Sequence, residues 1–472
     1  MKSTHLCSSR IIRFLARLAV AMVAILSIGC ITNPVTGKNE FLITSQEREV
    51  RTGEKHFPVA SESQGGPLHA DPELSAYVSE VGARISQTSD RPDLPYEFIV
   101  INSSRPHAWA LPGGKIAITR GMLLLLKNEG QLAAVLSHQV VHTAAKHRAK
   151  TLERDAMKTV GLTTLALGAT MVGVPLIPII GLVSRNEPAH HWLVHAPHTE
   201  GEEMEADRYG MEYMERAGYD PGDAVDTLRV LGRHEAQLTP EQEKLTVFSA
   251  HPLSRKRIAA ARIINYQNDQ ELGPPLPEPE DRFAERLAWL HNTAPGYAHA
   301  DVSRMRLIEG DYDSALVLIR QAHQEVPGEP SFHESEGDIL MMQGRFEEAF
   351  ISYDKAIQLR PERASAWVGR GMARKALGDT DNAMADFEIS YRIFPNRIAS
   401  KELRNYVPLK IQANEVLAPS TTDEEILDHP DDPDSPDFAT RHEGQLVDVA
   451  APLASPQSGD GSKPTAEPAS IP

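Results

Sequence analysis

Cysteine is nearly absent: the 472-residue chain has two, Cys7 and Cys30, too few for a disulfide framework. A basic surplus is absent too. Lys and Arg number 48 against 65 Asp and Glu, a formal net charge of -17. Phosphate binding needs a basic face, so nucleic acid is excluded as a partner. The acidity is local, because residues 415–472 hold 13 Asp and Glu against 2 Lys and Arg, which leaves only -6 of the -17 for the rest. The N-terminus also lacks an apolar run long enough to span a bilayer, its longest being the 12 residues Leu18–Gly29. What remains is a globular composition, 41% apolar and 24% charged, in a chain too long for one core. Two or more domains are expected.

The N-terminus has the order of a secretion signal. Lys2, Arg10, Arg13 and Arg17 precede the apolar stretch, and the small residues Ser27 and Gly29 lead into Cys30. The pattern resembles a bacterial lipoprotein signal more than an ordinary signal peptide or an anchor helix. It predicts removal of residues 1–29 and a lipid on the Cys30 thiol. Ile31 stands where retained lipoproteins have Asp, so by that resemblance the destination is the outer membrane, facing the periplasm. Several acyl chains together anchor firmly where one alone binds marginally.

Tyr96–Asn102 and Lys115–Arg120 read as strands from their β-branched and aromatic content, with a sharp turn in Ala108–Gly114 between them. From Asn128, an N-cap, apolar residues at helical spacing predict a helix to Lys158. Residues 159–184 carry no charge over 26 positions but are broken by Gly and Pro, which favours a buried or membrane-facing hairpin over a spanning helix. Residues 201–218 form a second helix ending at Gly218. Pro274, Pro275, Pro277 and Pro279 mark a linker.

Beyond it three registers repeat every 34 residues: Gly310, Gly344 and Gly378; Ala315, Ala349 and Ala383; Pro327, Pro361 and Pro395. That period is the tetratricopeptide signature, and it predicts protein partners for the repeats. Past residue 415 the Pro, Asp and Ser content cannot bury enough apolar area to order itself. The predicted fold class is α+β and mainly helical: an N-terminal domain with a small sheet, an all-α repeat array and a disordered acidic tail. The expected divisions are 1–29 signal, 30–67 N-terminal segment, 68–268 first globular domain, 269–290 linker, 291–400 repeats and 401–472 extension and tail.

His138 and His142 stand at i and i+4 on the first helix, about one turn apart, which suits two ligands of one tetrahedral Zn²⁺. On the second helix Glu203 and Asp207 share a face. Glu203 can supply a third ligand while Asp207 orients a ligand histidine through its ring N–H. By itself this pairing is weak, because paired helical histidines are common.

The surrounding segments make it specific. Asn33-Pro-Val-Thr-Gly37, Ala110-Leu-Pro-Gly-Gly114, Gln131-Leu-Ala-Ala-Val-Leu-Ser-His138, Glu203-Met-Glu-Ala-Asp-Arg-Tyr-Gly210 and His251-Pro-Leu253 resemble the HExxH zinc metallopeptidases of the CAAX-prenyl-protease/HtpX type. The resemblance covers roughly residues 30–265 and implies that the domain at 68–268 is a gluzincin-like metallopeptidase domain. It is strongest to the branch of outer-membrane lipoproteins with C-terminal tetratricopeptide repeats. It implies Zn²⁺ held by His138, His142 and Glu203, Asp207 behind them, and His251 as a fourth, regulatory group. It also implies that Ala110, Leu111, Pro112, Gly113 and Gly114 form the edge along which an extended substrate pairs.

Three positions depart from the family pattern. Gln139 stands at the general-base glutamate, Thr199-Glu200 at a Ser-Arg pair, and His107 at an Asn. A neutral amide cannot hold the proton that a general base takes from water. Two function classes follow: a zinc endopeptidase with impaired hydrolysis acting on envelope or outer-membrane proteins, or an inactive pseudoprotease serving as a polypeptide-binding adaptor. A simple periplasmic metal-binding protein rests on histidine content alone. His190, His191, His195 and His198 cluster before the second helix, either as a solvated loop or as a second metal or proton-carrying group.

Overall fold

The computed structural model describes residues 30–41, 44–154, 194–238, 250–272 and 282–405. The expected signal, the apolar segment 159–184, the Pro274–Pro279 stretch, His190, His191 and the acidic tail lie outside the described residues. Among those described, no helix is long and apolar enough to cross a membrane.

Cys30 begins β1 (Cys30–Thr32), which pairs antiparallel with β2 (Asn39–Phe41). The Asn33 side chain closes the connection by accepting from the backbone N–H of Val35 and Thr36. A three-stranded sheet follows, in the order β3 (Glu97–Ile101), β5 (Lys115–Thr119), β4 (Ala108–Leu111). β3 runs parallel to β5 and β4 antiparallel to it, leaving β4 as an outer strand. The β4–β5 turn needs its glycines. Gly113 and Gly114 have φ of 79° and 91°, and a Cβ on Gly113 would lie 2.6 Å from Val50 Cα. Val50 belongs to α1 (Gln46–Ser63), which covers this turn, while α2 (Pro72–Gln87), N-capped by Asp71, packs on β3.

The central helix is α3 (Glu129–Ala144), where the Asn128 side chain accepts from Gln131 N–H as N-cap. Every residue of it except His138 is buried, which explains why its polarity is not segregated to one face. The expected continuation to Lys158 is interrupted. Lys146 takes φ 60°, rare for a residue with a Cβ, and helical turns resume at His147. Its ammonium sits 2.6 Å from the buried Glu49 carboxylate, an ion pair that helps hold the break.

α4 (Glu200–Arg216) starts from a Thr199–Glu202 capping box and lies against α3. Gly210 permits that approach, since a Cβ there would meet Ser137 Oγ at 3.2 Å and His138 N at 3.3 Å. α5 (Gly222–Glu235) and α6 (Arg255–Leu272) complete this part.

Three helical hairpins form the repeats: α7 (Ala288–Ile308) with α8 (Tyr312–Glu325), α9 (Pro330–Met342) with α10 (Phe346–Leu359), and α11 (Ala364–Ala376) with α12 (Thr380–Ile393). α13 (Arg397–Asn405) packs on the last. The periodic alanines 315, 349 and 383 are fully buried, and the periodic glycines 310, 344 and 378 all carry positive φ in the turns between helices. The array rests on the N-terminal part. The Arg120 guanidinium stacks 3.8 Å over the Tyr297 ring, and Arg360 pairs with Glu62 at 3.1 Å. One buried apolar cluster includes Leu74 and Leu132 of the first part and Tyr297 and Ala315 of the repeats.

Candidate metal centre

α3 presents His138 and His142 one turn apart, and α4, held close by Gly210, points Glu203 between them. The segment before α6 brings His251 to the same place. His138, His142, Glu203 and His251 each place a ligand atom within 4.8 Å of the others. His138 Nε2 lies 2.9 Å from His142 Nε2 and 3.4 Å from Glu203 Oε2; His142 Nε2 lies 3.3 Å from Glu203 Oε1. Bonds of about 2.0–2.1 Å at tetrahedral angles put neighbouring ligand atoms roughly 3.3 Å apart. The donor spacing therefore fits a tetrahedral metal ion.

The protonation pattern supports the same fit. Asp207 Oδ1 is 3.0 Å from His138 Nδ1, which it fixes as N–H, leaving the Nε2 lone pair directed at Glu203. His142 is oriented likewise, its Nδ1 2.9 Å from His147 Nδ1. Two imidazole lone pairs and a buried carboxylate facing one another repel unless a cation or a proton lies among them. Accordingly, although burial alone would lower the His138 pKa, Glu203 and Asp207 outweigh it and raise it. Burial pushes His142 well down, which keeps it in the neutral form a metal needs.

Arg257 lies behind the carboxylates. It contacts Glu203 Oε2 at 2.7 Å and both Asp207 oxygens at 2.8 Å. Burial opposes ionisation of Asp207, but Arg257 and His138 overcome it and hold the carboxyl below its ordinary pKa.

The segment carrying His251 and the start of α6 are tied to α4 and to the residues just before it. His198 N–H donates to Ala250 O, and Glu200 receives hydrogen bonds from Ser254 and Lys256. Arg257 Nη1 donates to Pro252 O. His251 Nδ1 ends 2.9 Å from Glu203 Oε1 and 3.3 Å from His138 Nε2, in the position of a fourth ligand.

Gln139 is buried with its Nε2 3.4 Å from His251 Nε2, and its Oε1 has no hydrogen-bond partner. An apolar pocket formed partly by Met211, Leu228, Leu231 and Leu253 opens beside Gln139 and His251. Ala110–Gly114 do not join the cluster. They form the end of β4 and its turn, buried beneath α1, and Ala110, Leu111 and Pro112 line a small cavity shared with His142.

The departures at 107, 199 and 200 have structural roles of their own. His107 is buried and stacks on His195, ring centroids 5.4 Å apart; Thr199 is the N-cap of α4; Glu200 ties down the His251 segment. Sequence spacing did not point to His147. At i+5 from His142 it would face away on a continuous helix, and only the break at Lys146 brings it back. Arg257 lies within a basic run and carries no motif signal.

The peptidase family M48 profile matches residues 72–265. Those residues are a peptidase family M48 domain. Tetratricopeptide profiles match residues 337–378 and 364–397. The beta-barrel assembly-enhancing protease of Yersinia pestis is 27% identical over 255 residues, covering 53% of this chain and 50% of that protein. The Escherichia coli (strain K12) protein of the same name is 29% identical over 201 residues, covering 42% and 40%. The mitochondrial metalloendopeptidase OMA1 of Schizosaccharomyces pombe is 30% identical over 230 residues, covering 48% and 63%. The matches thus span half or less of the beta-barrel assembly-enhancing proteases' length. Among solved structures, the first tetratricopeptide domain of Spaghetti (RPAP3) bound to an HSP90 peptide aligns with 24% of this chain and 90% of its own, at 23% identity and a TM-score of 0.23.

Proposed function

We propose that the M48 domain holds one Zn²⁺ through His138, His142 and Glu203, binds extended polypeptide in the bacterial cell envelope, and hydrolyses it poorly or not at all. Its repeats would contribute a second protein-binding surface, and Cys30 would carry the lipid that keeps the chain at the outer membrane facing the periplasm. The matched beta-barrel assembly-enhancing proteases favour outer-membrane proteins as the polypeptides bound, a protein quality-control role.

Zinc bound there would supply Lewis acidity and a water of lowered pKa. The side chains around it supply the rest. Asp207 fixes the His138 tautomer, His147 orients the His142 ring, and Arg257 balances the carboxylates.

The observation that carries the reading is Gln139. Its amide faces the donor cluster, where a carboxylate would take a proton from water and pass it to the leaving amine. An amide does neither, and loss of general-base catalysis costs about 10²–10⁴-fold in rate. His251, whose Nδ1 is 2.9 Å from Glu203 Oε1, would be a fourth, regulatory group beside a bound ion, one that limits access until it is displaced. These two features also favour the adaptor reading, in which the domain binds polypeptide without cutting it.

The test is to incubate the zinc-loaded full chain with casein and with an unfolded outer-membrane β-barrel protein, following binding and cleavage separately. Binding with little or no chelator-sensitive cleavage is expected. Rapid chelator-sensitive cleavage would overturn the impaired reading, and absence of binding would overturn the polypeptide-binding one.

A further inference from the structure

Away from the M48 pocket, the first interface between repeats carries another group of metal-binding side chains. His323 stands near the end of α8, and His333 and Glu336 stand three residues apart on α9, on one face. A ligand atom from each lies within 4.8 Å of the others. The two imidazole centroids are 4.1 Å apart, with the rings tilted by 41°. His323 Nε2 is 3.2 Å from Glu336 Oε2, yet that nitrogen has no hydrogen-bond partner, so the two atoms are close without being aligned. The other carboxylate oxygen, Oε1, is taken by Arg320 at 2.8 Å, which leaves Oε2 facing the histidines. The His323 and Glu336 side chains are 17% and 14% exposed, shielded but still reachable from solvent.

The repeat pattern does not account for this group. Thirty-four residues on, at the next interface, the same three positions hold Ile357, Trp367 and Arg370. There Arg370 stacks 4.7 Å over Trp367 and pairs with Asp354, the counterpart of Arg320. The charge pair is reversed between the two interfaces. Where the second closes on an ion pair and a stacked cation, the first presents two imidazoles and a carboxylate.

We propose that His323, His333 and Glu336 form a second metal site, for a borderline divalent transition ion of the zinc class, joining α8 of one repeat to α9 of the next. Two imidazole nitrogens and one carboxylate oxygen suit zinc or nickel, whereas calcium and magnesium prefer sites made of oxygen alone. Water completes the coordination on the solvent side. The ion binds side chains from two repeats, so it stabilises their interface by mass action and stiffens the array.

The site is independent of the M48 pocket, and its test uses the full chain with His138→Ala/His142→Ala so that failure of either reading is seen separately. Zinc binding to that background is measured by equilibrium dialysis, alongside the melting of the array. About one ion per chain and a zinc-dependent rise in melting temperature are expected. Adding His323→Ala/His333→Ala should remove both, and Glu336→Gln should weaken binding at least ~10-fold. Single His323→Gln and His333→Gln variants, checked for native circular dichroism, guard against misfolding. A background that binds no zinc, or binding unchanged by the 323 and 333 substitutions in a folded chain, would overturn the proposal.

Discussion

Arg257→Leu isolates the electrostatics of the M48 pocket. Arg257 is buried, its side chain 4% exposed, and it faces Glu203 at 0% and Asp207 at 9%. Removing it leaves two buried carboxylates short of their fixed cation. Breaking one buried pair by deleting a partner costs about 3–5 kcal/mol, most of it the penalty of an uncompensated charge. For a domain of this size each kcal/mol moves the melting temperature by about 2–4 °C, so metal-free protein should melt roughly 6–20 °C lower. Zinc should return part of that loss, because the ion supplies positive charge to Glu203 in place of the guanidinium. Pairing the change with Asp207→Asn should also lessen it, because one of the stranded charges is then gone. The assay is thermal denaturation of chelator-treated and zinc-loaded protein, wild type against variants. A metal-free loss below about 1 kcal/mol, the range of exposed pairs, or a loss that zinc leaves untouched, would refute the reasoning.

Two further outcomes follow from particular side chains. Burial pushes the Tyr96 phenol up to about 12 and raises Tyr77, Tyr213 and Tyr219 as well. A raised folded-state pKa keeps its stabilisation below the unfolded value near 10 and loses it as pH climbs towards 12. The domain should therefore unfold within that alkaline window, with these tyrosines ionising only as it does; tyrosine absorbance that titrates normally while circular dichroism stays native would contradict this. Cys30→Ala should abolish incorporation of labelled palmitate and release the chain from the outer-membrane fraction, and equal labelling of the variant would remove the lipoprotein reading.

Periodicity and chemistry made much of this molecule legible before its coordinates. The 34-residue registers of Gly, Ala and Pro led to the helical hairpins, because each register marks a turn or a crossing that tolerates only small or kinked residues. His138 and His142 could be read as a pair because helical spacing alone puts them on one face. Glu203 and Asp207 joined them through the same argument on a second helix. The break at Lys146 was not legible, since nothing in Thr143–Arg148 interrupts a helical pattern; it depends on Glu49, nearly a hundred positions away. His147 stayed hidden for that reason. Arg257 was hidden by the opposite problem, a surface-like basic run from which one residue turns inward to meet two carboxylates. The substrate edge shows a third limit. Ala108–Gly114 read as a turn, yet Ala108–Leu111 form β4 and the chain turns only at Pro112–Gly114, and the covering helix α1 carries no signal in those residues.

The central claim is that this M48 domain has its metal-binding side chains in place and lacks only a base at position 139. Gln and Glu are nearly isosteric, so Gln139→Glu leaves packing undisturbed while restoring a carboxylate beside the donor cluster. The decisive measurement is chelator-sensitive proteolysis of casein by zinc-loaded wild-type protein and by Gln139→Glu. The expected result is a gain of at least ~100-fold in the variant, lost again when His138→Ala/His142→Ala is added. Strong activity in the wild type, or no gain in a folded zinc-bearing variant, would contradict the claim.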